Sequence, residues 1–172
     1  MMERQNGFSL IELLIVVVII GIIAAIAVPN LISSRRAANE ASAVSGLRII
    51  HGAQVAYAAS IGGGDYAGTA PGISGLPTLA AHGLIDPSFG SGVKSGYEYE
   101  TFGEPATVLN PPTFVGSAAA VTRSGVTQTG TRDFLIGTNG VIFSDDIDHT
   151  NGMAWSSIGG VIVISGGVPI GE

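Results

Sequence analysis

The chain has 172 residues, 7 Lys+Arg against 13 Asp+Glu, a formal charge of −6 and 46% hydrophobic residues. So much apolar content with so few charges excludes an intrinsically disordered chain, and 26 glycines without a three-residue period exclude a collagen rod. Lys94 is the only lysine, so no specific nucleic acid is expected as a partner, and the lack of cysteine excludes disulfides, thiolate catalysis and Cys-ligated metals.

The first element along the chain is apolar. Residues 13–28 form 16 uncharged positions in a row, and the wider stretch 8–32 carries one charge, Glu12. About 20 residues at a 1.5 Å rise cross a hydrocarbon core of roughly 30 Å, so 8–32 is long enough to span a bilayer. Beyond it the chain turns polar but keeps helix formers. Val44, Leu47, Ile50, Ala53, Tyr57 and Ile61 recur every three or four residues, which predicts one apolar stripe on a continuing helix. Gly62, Gly63 and Gly64 stop it. The predicted helix covers 9–60, about 52 residues or roughly 78 Å at that rise.

Three readings of this N-terminus compete. A secretory signal peptide would use Ala25-Ile26-Ala27 as its cut site. Glu12 opposes it, at a cost of roughly 2.5–3.5 kcal/mol near the centre of an inserting helix, and the stripe continues past the cut. A signal anchor accounts for the length and leaves Glu12 unexplained, although ionisable residues inside a membrane are usually functional. The third reading rests on Gly7-Phe8-Ser9-Leu10-Ile11-Glu12-Leu13-Leu14-Ile15, followed by Gly21 and Pro29.

That run resembles the N-terminus of type IV pilins and the related pseudopilins, and the resemblance extends over residues 7–60. It implies a leader, residues 1–7, removed after Gly7 by a prepilin peptidase, and a mature chain starting at an N-methylated Phe8. It implies a single-pass precursor in the lipid of a bacterial inner membrane, then a homo-oligomeric helical filament, extracellular or periplasm-spanning, built by pilus or secretion assembly machinery. Glu12 becomes the fifth mature residue, the partner of the Phe8 amine on a neighbouring subunit, and the segment between Gly21 and Pro29 is unwound in the filament. The implied function is a structural pilin and not an enzyme, with no cofactor. A type II secretion pseudopilin and a membrane-anchored binding domain that never polymerises are the alternatives.

Elementary chemistry bears on each implication. An apolar run with no polar face cannot remain in water, and copies of itself are one way to bury it. Pro29 lacks an N–H and crowds the carbonyl of Ala25, so a tolerated kink competes with local melting. Phe8 and Glu12 are also i and i+4 on one helix, so a local contact competes with the intersubunit pair. Two features depart from the family pattern. The chain has no cysteine for the disulfide with which many type IV pilins close their C-terminal region, and Arg4 before the span against Arg35 and Arg36 after it favours the opposite orientation by charge count. Conduction along stacked rings is not expected, because no aromatic residue lies between Phe8 and Tyr57.

After the glycines the pattern changes, with 22 of the 26 glycines in residues 62–172. Residues 62–95 read as irregular, with one helical turn near Leu79 and His82. Strands are predicted at 97–102, at 134–136 and 141–143 around an Asn139-Gly140 turn, and at 160–165, which closes the set. The fold class is therefore α+β: a long N-terminal helix (8–61) whose second half packs on an antiparallel sheet of three to five strands within 62–172. His51, His82 and His149 are scattered and read as solvated or core-edge side chains rather than catalytic ones. Asp145, Asp146 and Asp148 offer hard oxygens for calcium, yet from Asp146 the turn-glycine position is Asn151 and the terminal-glutamate position Ser157, so the cluster fails the EF-hand pattern and reads as a solvated turn.

Overall fold

The computed structural model describes residues 8–68, 74–146, 154–158 and 161–170. The chain divides into two compact units, Met1–Arg35 and Arg36–Glu172, with the boundary inside its first helix. That helix, α1 (Leu10–Ser60), starts within one residue of the predicted position and ends at it.

Within the second unit the stripe behaves largely as its spacing requires. Leu47, Ile50 and Ala53 are buried in the core, and Val44 and Tyr57 pack at its margin. Ile61, beyond the helix end, is 45% exposed and lies outside that core, which corrects the predicted stripe at its last position. Gly46 presents no side chain, and a Cβ there would meet the Tyr99 ring at 2.8 Å, so this position lets an aromatic side chain reach the helix backbone.

A six-stranded antiparallel sheet faces the stripe. Its strands are β1 (Val93–Lys94), β2 (Tyr97–Glu104), β3 (Thr113–Ala120), β4 (Arg132–Gly137), β5 (Ile142–Asp146) and β8 (Val168–Pro169), in that spatial order. Strands β6 (Ala154–Ile158) and β7 (Val161–Ser165) form a separate two-stranded sheet. The inward face carries Tyr97, Tyr99, Ala118, Phe134, Ile136 and Ile142, which share one core with Leu47 and Ile50. Burying each large aliphatic side chain of this kind contributes about 1.5–3 kcal/mol. On the opposite face Val115 and Leu135 are also buried, where β7 lies against β3 and β4 and Ile162 approaches Gly137. The sheet therefore has cover on both sides.

Three expectations are corrected. The sheet has more strands than the three to five predicted, because β3, with the sequence TFVGSAAA, shows no alternation and is held by its partners β2 and β4. The strand predicted at 160–165 does not close the set: β7 pairs with β6, and β8 closes the sheet by pairing with β5. Residues 62–95 are not all irregular, since they include α2 (Leu76–Ala81), α3 (Pro87–Gly90) and β1.

Two turns show how glycine placement sets register. Lys94 pairs with Tyr97 across Ser95 and Gly96, whose φ values of 51° and 74° give both central residues the positive sign of a type I′ hairpin. In the predicted hairpin between β4 and β5 the N–H of Gly140 donates to the carbonyl of Gly137 at 3.0 Å. There Gly140 alone takes positive φ, at 77°.

Candidate functional site

The N-terminal segment carries the chemistry that the sequence singles out. The helix begins at Leu10, which makes Ser9 its N-cap, and Ser9 backbone N–H donates to Glu12 Oε2 at 2.9 Å while Ser9 carbonyl accepts from Leu13 N–H at 3.3 Å. This is the carboxylate half of a capping box, in which a glutamate at the third helical position reaches back to the N-cap N–H. The signal was present as Ser9-x-x-Glu12 before an apolar run. The local role of Glu12 is therefore broader than an i, i+4 contact with Phe8. Among the described residues Oε1 of Glu12 receives no hydrogen bond. Phe8 is 88% exposed, and Gly7 lies outside the described residues.

From Leu10 the helix is apolar on every side. Leu14, Val17, Ile20 and Ile23 are at least half exposed, as are their large aliphatic neighbours through Val28. Among the described residues one helix is long and apolar enough, by length and composition, to cross a membrane, and the window that qualifies has none of its residues buried. Gly21 meets no atom that a Cβ would touch. Pro29 sits inside α1 without ending it. The next residue, Asn30, donates through Nδ2 to the carbonyl of Ile26 at 3.2 Å, and Ser33 Oγ donates to the carbonyl of Asn30 at 2.9 Å. In the single chain the stretch from Gly21 to Pro29 is helical.

A second group of polar side chains fastens α1 to the β3–β4 loop within the Arg36–Glu172 unit. Arg36 donates to the carbonyls of Gly125 and Gln128, and Asn39 to that of Thr129. Glu40, 7% exposed, accepts from the N–H and hydroxyl of Thr131 at 2.8 and 2.7 Å and from Arg132 through two bonds of 3.0 and 2.8 Å. Burial pushes the Glu40 carboxyl up, but the Thr131 hydrogen bonds and the Arg132 guanidinium outweigh it and hold the pKa below the ordinary value. Deeper in the unit Gln54, fully buried, donates to the carbonyl of Ala67 and to Thr101 Oγ1 and accepts from the N–H of Ala67. Neither residue was legible as a core polar group, because a polar side chain in an amphipathic helix is ordinarily solvated.

The remaining candidates separate. His51 Nε2 lies 3.2 Å from the carbonyl of Thr138 and its ring packs at a tilt against Phe114, while the His82 ring packs likewise against Tyr57. His149 and Asp148 lie outside the described residues. Asp145 and Asp146 end β5, where Asp146 N–H donates to Asp145 Oδ1, and among the described residues no three His, Cys, Asp or Glu side chains are close enough to hold a metal ion.

An apolar, locally capped N-terminal helix preceding a helix-on-sheet unit defines the class, and the comparisons match it. Residues 2–28 match the family model for the prokaryotic N-terminal methylation motif. The chain is 32% identical over 116 residues to the type II secretion system core protein G of Aeromonas hydrophila, covering 65% of this chain and 78% of that protein. It is 41% identical over 56 residues to the core protein G of Klebsiella pneumoniae, and 46% identical over 54 residues to the type IV major pilin protein PilA of Myxococcus xanthus. The first of these matches covers 33% of this chain and 40% of its relative, the second 31% and 24%. No solved structure matches. The chain belongs to the type IV pilin and pseudopilin family.

Proposed function

We propose that this chain is a structural subunit of a type IV pilus-like filament: a single-pass inner-membrane precursor cleaved after Gly7, N-methylated at Phe8 and polymerised through its apolar helix. The observation that carries the reading is the first half of α1, whose large aliphatic side chains are exposed all round. Such a surface is stable in lipid or against other apolar helices and not in water. Leaving the membrane then requires that subunits bury it against one another, with assembly machinery to move them and a peptidase and methyltransferase to prepare Phe8.

Glu12 serves two ends of this process. One carboxylate oxygen closes the helix cap on Ser9, and the other is available to the Phe8 amine of an arriving neighbour, which cleavage creates and which is mostly charged at neutral pH. At about 4 Å and an effective dielectric near 20 that attraction is roughly 4 kcal/mol before desolvation, enough to set the axial register of each copy. Within the filament the Gly21–Pro29 stretch unwinds, since Pro29 already leaves the Ala25 carbonyl without its helical donor. A type II secretion pseudopilin is the second reading. The match to core protein G of Aeromonas hydrophila extends over 116 residues, whereas the matches to PilA of Myxococcus xanthus and to the wide pilus component PilA4 of Thermus thermophilus span 54 and 39, although the match to core protein G of Klebsiella pneumoniae spans only 56.

Processing is tested by Gly7→Val. Glycine allows the close backbone approach that an extended peptide needs at a cut site. The variant is expected to stay in the membrane as full-length precursor without filaments, and mature protein starting at Phe8 by mass spectrometry would contradict the leader assignment. Electron microscopy of material sheared from cells then separates the readings, with long filaments made mainly of this chain for a pilin and their absence for a pseudopilin.

A further inference from the structure

The β3–β4 loop, residues 121–131, is tied to α1 at points that step along the helix toward its N-terminus. Thr131 and Arg132 donate to Glu40, the Thr129 carbonyl accepts from Asn39 Nδ2 at 2.8 Å, and the carbonyls of Gln128 and Gly125 accept from Arg36 at 3.4 and 3.0 Å. Arg36 is the first residue of the sheet unit. The loop tip, residues 123–128, is therefore at the end of the unit where the chain enters it.

The tip presents an apolar side chain among donors. Val126 and Thr127 are the central pair of a turn in which Gln128 N–H donates to the carbonyl of Gly125 at 3.2 Å, and both are exposed, Val126 to 78%. Thr129 N–H donates to the carbonyl of Thr122 at 3.0 Å and Gln128 Nε2 to that of Arg123 at 3.1 Å, which brace the tip. Among the described residues the N–H groups of Val126 and Thr127 have no acceptor. Residues 33–39 and 121–131 together hold Arg35, Arg36 and Arg123 and no acidic side chain, in a chain of formal charge −6. Two carboxylates bond within this end of the unit, and both are engaged, Asp133 by Arg123 at 2.8 Å and Glu40 by Arg132 and Thr131. Arg123 stays half exposed.

Chain length fixes what lies beside such a tip. About 20 residues fill the hydrocarbon, so a helical span that ends at Ile32 places Arg36, four residues on, about 6 Å beyond it. The headgroup layer is roughly 5–7 Å deep on each side, so Arg36 and the loop bonded to it stand at that layer. An aliphatic side chain flanked by arginines and open N–H donors is suited to a phospholipid surface, where phosphate oxygens accept the hydrogen bonds and the apolar group enters the boundary with the acyl chains.

We propose that the 123–128 tip of the inserted precursor docks on the phospholipid surface on the sheet-unit side of the bilayer, with Val126 entering the headgroup layer and Arg36 and Arg123 facing lipid phosphate. The proposal rests on the membrane-inserted precursor of the reading above and adds a restraint on the sheet unit that polymerisation must release. It also gives Arg36, which with Arg35 runs against the usual charge bias across the span, a task at that face of the membrane.

Because the chain has no cysteine, single cysteines carry a polarity-sensitive fluorophore to chosen positions. These are Thr127→Cys at the tip, Ile20→Cys in the span, and Leu109→Cys, 90% exposed at the other end of β3 and roughly 26 Å away at about 3.3 Å per residue. The full-length precursor is reconstituted in vesicles of phosphatidylcholine and phosphatidylglycerol that carry a lipid-attached nitroxide quencher. The expected result is blue-shifted, quenched emission at 127 and neither change at 109. Adding Val126→Asp to the tip-labelled protein and omitting phosphatidylglycerol are each expected to reduce quenching at 127, whereas Val126→Leu keeps it. Quenching at 127 that survives either the aspartate or the loss of anionic lipid reports proximity by tether alone and contradicts the proposal. An unquenched probe at 127 beside a quenched probe at 20 overturns the docking and leaves the inserted precursor standing. A blue shift at 127 without lipid quenching overturns it equally, since the tip is then covered by a neighbouring subunit. An unquenched probe at 20 removes both the docking and the membrane reading.

Discussion

The two halves of α1 form one unbroken helix from opposite kinds of sequence. Between Leu10 and Val28 nearly every side chain is aliphatic and exposed, whereas from Glu40 to Tyr57 polar and apolar residues interleave and the apolar stripe through Ala43, Leu47, Ile50 and Ala53 is buried in the core, with Ile49 and Val55 off it and exposed. Helix formation is therefore common to both halves and distinguishes nothing. What differs is where each finds its partners. The second half has them in its own chain, through a stripe, while the first, among the described residues, is exposed and carries apolar surface all round. An all-round apolar helix belongs in a membrane or inside an assembly, and a striped one on a folded domain.

Core truncation tests the contrast most strongly. Leu47→Ala in the second half is expected to lower the unfolding free energy of the sheet unit by about 2–5 kcal/mol, and Leu14→Ala in the first to leave it unchanged in the detergent-solubilised subunit. Equal effects, measured by denaturant titration with near-ultraviolet detection, would mean that the halves are not energetically separate. Gln54→Leu comes next. It leaves the N–H and carbonyl of Ala67 buried without partners, a cost of about 3 kcal/mol at roughly 1–3 kcal/mol for each buried group.

The smallest expected effect concerns Glu40, and it depends on pH. The folded pKa of Glu40 lies below its ordinary value of 4.5, so the unfolded chain takes up a proton first on acidification. The stabilisation is complete above that ordinary value and is lost as pH falls through the folded pKa. Glu40→Gln is expected to cost about 1–2 kcal/mol at pH 7 and to flatten the dependence in the acid window, read from melting curves between neutral and acid pH. An unchanged acid limb would mean that Arg132 and Thr131 contribute nothing through this carboxylate.

The contrast between the halves was largely legible in the sequence, because hydrophobic period and residue class are sequence properties. The span of α1, the stripe through Leu47, Ile50 and Ala53, the strand from Tyr97 and the β4–β5 hairpin all follow from them. Elements held by distant partners did not. β3 is made of small residues and is a strand because β2 and β4 pair with it. β1 and β8 have two residues each, too short for any pattern. α3 was missed although its signal stood in the sequence, Asp86 as cap directly before Pro87, where Asp86 accepts from Ser88 N–H. At the candidate site the positions of Phe8, Glu12, Gly21 and Pro29 were readable, whereas the Ser9-x-x-Glu12 cap was missed although its pattern stands in the sequence, because a pattern two residues into a helix gains its meaning only once the helix start is in view. The burial of Glu40 and Gln54 depends on side chains some 90 and 50 residues away, on which local sequence is silent.

The central claim is that the charge on Glu12 recruits the amine of the next subunit, beyond its capping of Ser9. Glu12→Gln separates the two, since the amide oxygen still accepts from Ser9 N–H while the charge is gone. The measurement is the filament yield of fully cleaved Glu12→Gln protein beside wild type, with the mature N-terminus verified at Phe8. The account predicts normal cleavage and a yield reduced by about tenfold or more, since an incoming cationic amine is buried unpaired. Filaments of wild-type yield and length from that variant would contradict it and leave Glu12 as a helix cap alone.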